Sequence, residues 1–201
     1  MSKNSFIRGA LILTIAGIIV KFIGAFSRIY LSRLLGGEGI GLYQMAYPIY
    51  LLCLSVSSAG LPVAISIMVA EKNAIHDYVG GQRVFKISLT VLTLTGLFFS
   101  IALFFGASWL IDNHIVRDAR AYWSLIALAP AVFCATIVAT MRGYFQGLQD
   151  MMPTAVSQIV EQLVRVVTMI GLAIILLPKG LEYGAAGATL GAAPGALIAI
   201  F

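Results

Sequence analysis

The chain has 201 residues, of which 60% are hydrophobic and only 10% are charged, and its mean hydropathy is +0.98. This composition excludes an ordinary soluble domain, because runs of about 20 apolar residues, long enough to cross a bilayer core, recur along nearly the whole sequence. The net charge of +5 is typical of membrane topology signals and anionic lipid contacts. Nucleic acid is not an expected partner, since no basic cluster carries interleaved aromatic residues.

The apolar runs and the breaks between them predict a single all-α membrane domain, a polytopic bundle of about six transmembrane helices. The first run ends at Gly36-Gly37, a favourable C-terminal stop. The second run is too long for one straight span, and the segment from Ser57 to Pro62 predicts a kink or an unwound turn centred on Gly60 and Pro62. In chain order, the predicted helices span about residues 6–35, 40–70, 83–110, 121–144, 153–177 and 183–201.

The ends of these helices predict how the chain lies in the membrane. The sixth run is still apolar at Phe201, so we expect the sequence to be part of a longer protein. With the N-terminus inside, the cytoplasmic flanks hold Lys3, Arg8, Lys72, Arg83, Lys86 and Arg142, and the other side holds Arg33, Arg117, Arg120 and Lys179. This bias favours a multi-pass protein of the cell membrane with a cytoplasmic N-terminus.

Two cations lie inside the first predicted helix, where a charge costs about 2.5–3.5 kcal/mol near the helix centre on insertion scales. Lys21 and Arg28 are seven residues apart and therefore share one helix face. Gly17 and Gly24 lie near that face and allow a neighbouring backbone to approach closely. Arg28 is close enough to the outer end of the helix to reach the interface, whereas Lys21 is too deep to do so.

The fifth predicted helix carries a polar stripe at positions i, i+3, i+4 and i+7, formed by Gln158, Glu161, Gln162 and Arg165. Glu161 and Arg165 are spaced for an ion pair within the helix. One interpretation is structural, a buried ion pair with hydrogen bonds between helices. The other is a hydrated central cavity in which three cations outweigh one carboxylate, suited to a phosphate or diphosphate headgroup that crosses the membrane.

Signals for an enzyme, a metal or a cofactor are missing from the sequence. Cys53 and Cys134 lie in apolar stretches and are expected to be buried hydrophobic side chains. His76 and His114 lie in loops without ligand spacing, and no phosphate-binding Walker loop or HExxH motif occurs. We therefore expect a protein that is not an enzyme and that binds no metal and no cofactor.

Three segments carry a family resemblance: residues 34–50 (LLGGEGIGLYQMAYPIY), 58–66 (SAGLPVAIS) and 142–162 (RGYFQGLQDMMPTAVSQIVEQ). Together they resemble the stage V sporulation protein B family. Its members are polysaccharide-type flippases of the multidrug/oligosaccharidyl-lipid/polysaccharide exporter superfamily and relatives of the lipid II flippase. The likeness extends over essentially the whole chain.

The resemblance implies two pseudo-symmetric helical lobes around a central cavity, of which this chain is the N-terminal lobe and the remaining C-terminal lobe a partner. In such a protein, cavity cations hold a lipid-linked saccharide diphosphate while the lobes alternate between inward-open and outward-open states. Lys21, Arg28 and Arg165 are the matching cations, and Glu161 sets their charge balance. Arg142, at the end of the fourth helix, is expected to be a topology anchor or a gating residue.

The leading functional hypothesis is therefore a flippase that moves a lipid-linked oligosaccharide or peptidoglycan precursor across the cytoplasmic membrane. One alternative is a cation-coupled drug exporter of the same superfamily, which requires an intramembrane carboxylate free of arginine. Another alternative is a non-transporting membrane scaffold for envelope assembly, in which the cavity charges would be dispensable.

Overall fold

The computed structural model of the protein describes residues 3–58 and 60–200, and these form a bundle of α-helices without a β-strand. Two short 3-10 turns, Ala119–Ala121 and Leu177–Lys179, lie between helices. The helices are α1 (Lys3–Ser58), α2 (Leu61–Ala74), α3 (Tyr78–Asp112), α4 (Tyr122–Gly147), α5 (Met152–Leu176), α6 (Leu181–Leu190) and α7 (Ala192–Ile198).

Helix α1 is divided at Gly36, which has φ 67° and ψ −177°. These angles are incompatible with a continuing helix and are accessible to glycine because it has no Cβ. We call residues 3–35 the first limb of α1 and residues 37–58 the second limb. In a straight helix Lys21 and Tyr47 would lie roughly 39 Å apart at 1.5 Å per residue, yet both line one cavity. The chain therefore turns back at Gly36, and the two limbs lie side by side.

A second glycine divides the helix that the sequence predicts over residues 40–70. Gly60 has φ 76° and ψ 1°, and α2 begins directly after it with Pro62 in its first turn, where a missing N–H costs no hydrogen bond. Glu38 lies beside Arg120, in the 3-10 turn just before α4, and the carbonyl oxygen of Pro62 lies 2.7 Å from the Cβ position of Gly143 near the end of α4. The second limb and α2 therefore form one bent span that runs alongside α4.

Two other predicted boundaries need correction. The third helix begins at Tyr78 and not at residue 83, because Asp77 caps it by accepting the N–H of Gly80 at 2.8 Å. That N–H and then the ammonium of Lys72, 3.2 Å away, hold the pKa of the Asp77 carboxyl below its usual value. The predicted helix over residues 183–201 is two helices, α6 and α7, which meet at Gly191.

The structure has the dimensions and surface of a multi-pass membrane protein. Four helical stretches are long and apolar enough to span a bilayer, and the first of them contains both limbs of α1 together with α2. Large apolar side chains cover the outer faces, for example Phe26 at 71% and Phe105 at 76% exposure. Helix α4 is the most buried element and forms the centre of the bundle, packed against α3, α2 and α6.

Helix ends that are distant in sequence meet at each end of the bundle. At one end, the Cβ position of Gly9 lies 2.9 Å from the Met151 side chain. At the other end, the Cβ position of Gly39 lies 2.9 Å from the side chain of Leu181. The first limb and α5 therefore begin at one end of the bundle, and the second limb and α6 begin at the other.

Candidate functional site

A cavity of about 490 Å³ lies between the two limbs of α1 and helix α5. The first limb contributes Lys21 and Arg28, and α5 contributes Gln162 and Arg165. Its remaining lining consists of small, apolar and tyrosine side chains: Val20, Gly24, Ala25, Ser27, Leu31, Tyr43, Tyr47, Val166 and Met169. Four of the six residues that the sequence predicts for a cavity site thus come together around one volume.

Close helix packing beside the cavity depends on glycine in the first limb. A Cβ on Gly24 would lie 3.3 Å from the amide nitrogen of Gln162. Gly24 lies three residues after Lys21 and four before Arg28, so all three share one helix face. The same face therefore brings α5 near and presents both cations to the space between the helices.

The lining of the cavity is strongly cationic. Lys21, Arg28 and Arg165 supply three positive charges, and no acidic residue borders the volume among the residues described. Lys21 and Arg28 are exposed to the cavity side of the bundle. Charges that face a space within a membrane are poorly screened, so a site of this kind attracts an anion strongly.

Glu161 does not line the cavity but lies between two guanidinium groups. Its Oε2 accepts a hydrogen bond from Nη2 of Arg142 at 2.6 Å, and its Oε1 accepts one from Nη2 of Arg165. The Glu161 side chain is only 14% exposed. Arg142 also donates to the hydroxyl of Ser157 at 2.9 Å. The carboxylate therefore joins α4 to α5 and partly neutralises the cation that faces the cavity.

Arg142 is the residue whose role sequence reasoning missed. The spacing within the fifth helix predicts the pair between Glu161 and Arg165, which the structure contains. No spacing rule connects Arg142 with Glu161, because they lie on different helices. The predicted stripe is consequently divided: Gln162 and Arg165 line the cavity, Glu161 binds Arg142, and Gln158 is half-buried away from the cavity lining.

Helix α7 and the end of α6 lie directly against the backbone that carries these charges. A Cβ on Gly195 would lie 2.8 Å from the carbonyl oxygen of Glu161 and 3.0 Å from Cβ of Arg165. A Cβ on Gly191 would lie 2.6 Å from the backbone nitrogen of Met169. Small residues four apart permit such contact between membrane helices, and the sequence pattern of Gly187, Gly191 and Gly195 could have predicted it.

Metal binding finds no support in the described part of the chain. Residues 3–58 and 60–200 contain no group of three or more His, Cys, Asp or Glu side chains placed to hold an ion. Cys53 and Cys134 are both free thiols. The chemistry that the site offers is electrostatic and hydrogen-bonding recognition of an anion.

A family model described as "Polysaccharide biosynthesis protein" matches residues 6–201. The chain belongs to this family. The family resemblance that residues 34–50, 58–66 and 142–162 indicate is therefore confirmed.

Two curated relatives from Bacillus subtilis (strain 168) show how much of a family member the chain represents. It is 38% identical to stage V sporulation protein B over 200 residues, which cover all of this chain and 38% of that protein. It is 30% identical to the lipid II flippase MurJ over 182 residues, which cover 87% of this chain and 34% of that protein. The chain thus spans little more than a third of the length of these relatives.

A solved structure shows the fold independently. The crystal structure of a MATE protein in complex with MaD3S matches with a TM-score of 0.82 at 17% identity, covering 98% of this chain and 44% of that one. At this identity the likeness shows the fold alone. The chain therefore has the architecture of about half of an exporter, as predicted.

Proposed function

We propose that the full-length protein is a flippase that carries a lipid-linked saccharide diphosphate, a peptidoglycan precursor or a related envelope glycolipid, across the cell membrane. The observation that supports this proposal is the cavity lined by Lys21, Arg28 and Arg165 within a membrane bundle. The name of one relative, the lipid II flippase, points to the same class of substrate.

The charge of the cavity fits a diphosphate better than a neutral or cationic cargo. Three cations face the space, and only Arg165 has an acidic partner within the residues described. A diphosphate carries more than one negative charge and several acceptor oxygens, so it can engage all three cations at once. Gln162 can donate further hydrogen bonds from its amide.

In this proposal the chain is the N-terminal lobe, and a C-terminal lobe closes the other side of the cavity. The N-terminus lies in the cytoplasm, and the two lobes alternate in opening the cavity to each side of the membrane. Gly60 and Pro62 lie at the bend between the second limb and α2, where a change of angle would move one end of the lobe relative to the other.

The contacts of Glu161 bear on the alternative functions. A cation-coupled drug exporter requires a carboxylate that is free to bind a proton or a metal ion, whereas both oxygens of Glu161 accept from arginine. No acidic residue borders the cavity in the part of the chain that is described. A non-transporting scaffold would need no cations in the cavity. Because such cations are costly to place in a membrane, their presence favours transport over a scaffold role.

The proposal is tested by reconstituting the full-length protein in liposomes with a fluorescent lipid-linked disaccharide diphosphate. Transfer between leaflets is followed by the loss of signal to a quencher that does not cross the membrane. We expect each of Lys21→Ala, Arg28→Ala and Arg165→Ala to slow transfer tenfold or more, because a hydrogen bond to a charged group contributes about 1.5–3 kcal/mol. Lys179→Ala, which removes an exposed cation outside the cavity, is the matched control.

The outcomes separate the three functions. Transfer at the wild-type rate by all three cavity variants would refute the diphosphate site. No transfer by the wild-type protein, together with uptake of cationic drugs driven by an ion gradient, would favour the drug exporter. Absence of both activities would favour a scaffold.

A further inference from the structure

Three tyrosines form a stripe on the second limb of α1, next to the cationic cavity. Tyr43, Tyr47 and Tyr50 recur at i, i+4 and i+7 and so share one helix face. The Tyr43 and Tyr47 rings are stacked, with centroids 6.1 Å apart and an interplanar angle of 22°. Tyr50 is only 5% exposed and packs in the core with Leu125 and Leu128.

The three tyrosines have different surroundings, because two of them face the cavity and the third lies in the core. Tyr43 and Tyr47 are half-buried and line the 490 Å³ volume together with the three cations. Tyr50 does not line that volume and fills a core position instead. Two aromatic rings aligned with each other thus form part of the wall of a site that otherwise recognises charge.

The rings lie at a depth in the membrane similar to that of Arg28 and Arg165, whereas Lys21 lies deeper, about 22 Å from the break at Gly36. Tyr43 lies seven residues after Gly36, and Arg28 lies eight residues before Gly36. At 1.5 Å per residue, both are therefore roughly 10–12 Å from the break. Tyr47 is about 16 Å from the same end, and Arg165, on α5, is also about 16 Å from the end of its helix at Leu176. A ligand whose phosphates contact Arg28 and Arg165 would therefore place the group next to the phosphates against the rings.

We propose that Tyr43 and Tyr47 form a saccharide subsite, on which the sugar ring attached to the diphosphate stacks. The flat face of an aromatic ring presents apolar surface with a negative quadrupole, and the C–H groups on one face of a pyranose are complementary to it. The phenol hydroxyls can also exchange hydrogen bonds with sugar hydroxyls. This inference rests on the proposed function and adds that the site distinguishes a glycosylated lipid diphosphate from a bare one.

The test measures the affinity of the full-length protein, in nanodiscs, for two probes. One probe is a polyprenyl diphosphate, and the other is the same lipid with a disaccharide on the diphosphate. We expect the wild type to bind the glycosylated probe more tightly. Tyr43→Leu and Tyr47→Leu should each weaken its binding about five- to tenfold, which corresponds to about 1–1.4 kcal/mol, and leave the bare probe unchanged.

Further variants separate stacking from folding and from hydrogen bonding. Binding of the bare probe reports that each variant is folded and that the diphosphate site is intact. Tyr47→Phe keeps the ring and should retain most of the preference for the sugar, whereas Tyr47→Leu should lose it. Tyr50→Phe, in the core, is the matched control and should bind both probes as the wild type does.

Three results would overturn the saccharide subsite while leaving the proposed function standing. The first is equal affinity of the wild type for the two probes, and the second is an equal loss for both probes in the leucine variants. The third is retention of the glycosylated probe at wild-type affinity by both leucine variants. If the wild type bound neither probe, the proposed function itself would fail, and the subsite with it.

Discussion

Replacing Glu161 by Gln removes the negative charge between two arginines while keeping the size of the side chain. In the structure Glu161 accepts hydrogen bonds from Arg142 and from Arg165, whose side chains are 21% and 26% exposed. In the variant both guanidinium groups lose their shared counter-ion, and the neutral amide cannot replace its charge. We therefore expect the packing of α4 against α5 to weaken.

The size of the effect follows from these contacts. Each hydrogen bond to a charged group contributes about 1.5–3 kcal/mol, and breaking a buried ion pair from one side costs about 3–5 kcal/mol. Partial exposure lets both arginines recover some hydration, which places the expected loss near the lower end of that range, at about 3 kcal/mol. The double variant that combines Glu161→Gln with Arg142→Gln should lose less, because one uncompensated charge is then removed as well.

The assay is unfolding of the purified full-length protein in detergent, followed by tryptophan fluorescence. Glu38→Gln is the matched control, because it removes an ion pair with Arg120 of similar length, 2.8 Å, in which the Glu38 side chain is 65% exposed. Exposed ion pairs contribute little to the free energy of unfolding, so the control should unfold at the wild-type midpoint. An unchanged midpoint for Glu161→Gln, or a double variant less stable than the single one, would refute the reasoning.

Three further predictions concern the backbone and the loops. Gly195→Ala should destabilise the protein by about 1–3 kcal/mol in the same assay, because the new Cβ would lie 2.8 Å from a backbone oxygen. The control Gly171→Ala has no neighbour within 4 Å of the new Cβ and should be neutral or stabilising. Equal effects of the two substitutions would contradict the close contact. Gly60→Ala should lower the free energy of unfolding by about 1–2 kcal/mol, because residue 60 has a positive φ. Its Cβ would meet open space, so no steric clash adds to this cost. A stabilising effect would rule out the left-handed bend. The lowered pKa of Asp77 means that its cap stabilises α3 above about pH 4 and is lost as the pH falls through the folded-state value. In the wild type, protection of the first turn of α3 against hydrogen exchange, corrected for the intrinsic exchange rate at each pH, should therefore fall in acid. The corrected protection in Asp77→Asn should not vary in that range, and an identical acid response in both proteins would contradict the cap.

Hydropathy determines the class of this protein from the sequence alone. Backbone groups in lipid must be satisfied within each segment, so long apolar runs with few charges have almost no alternative to spanning helices. Charged side chains are rare inside such apolar runs because they are costly in lipid. The sequence therefore identifies Lys21, Arg28, Glu161 and Arg165 as candidate site residues. Three of these four, Lys21, Arg28 and Arg165, line one volume with Gln162. Helical periodicity predicted that Lys21 and Arg28 share a face, but tertiary packing brought that face next to Arg165.

Helix boundaries were less predictable where a single residue decides them. Gly36 and Gly60 break their helices by adopting positive φ, whereas Gly80 lies inside α3 because the cap at Asp77 starts the helix before it. Glycine permits a break but does not impose one. Which outcome occurs depends on the contacts that each conformation makes with the rest of the bundle.

Only the tertiary structure decided which residues complete the site. Arg142 pairs with Glu161 across two helices, and Tyr43 reaches the cavity because the chain turns back at Gly36. Neither relationship follows from spacing, since periodicity orders residues on one helix and carries no information about which faces meet. The sequence by itself therefore determined a membrane bundle with charges on its inner faces. The folded structure determined which of those charges neutralise one another and which are left to face the cavity.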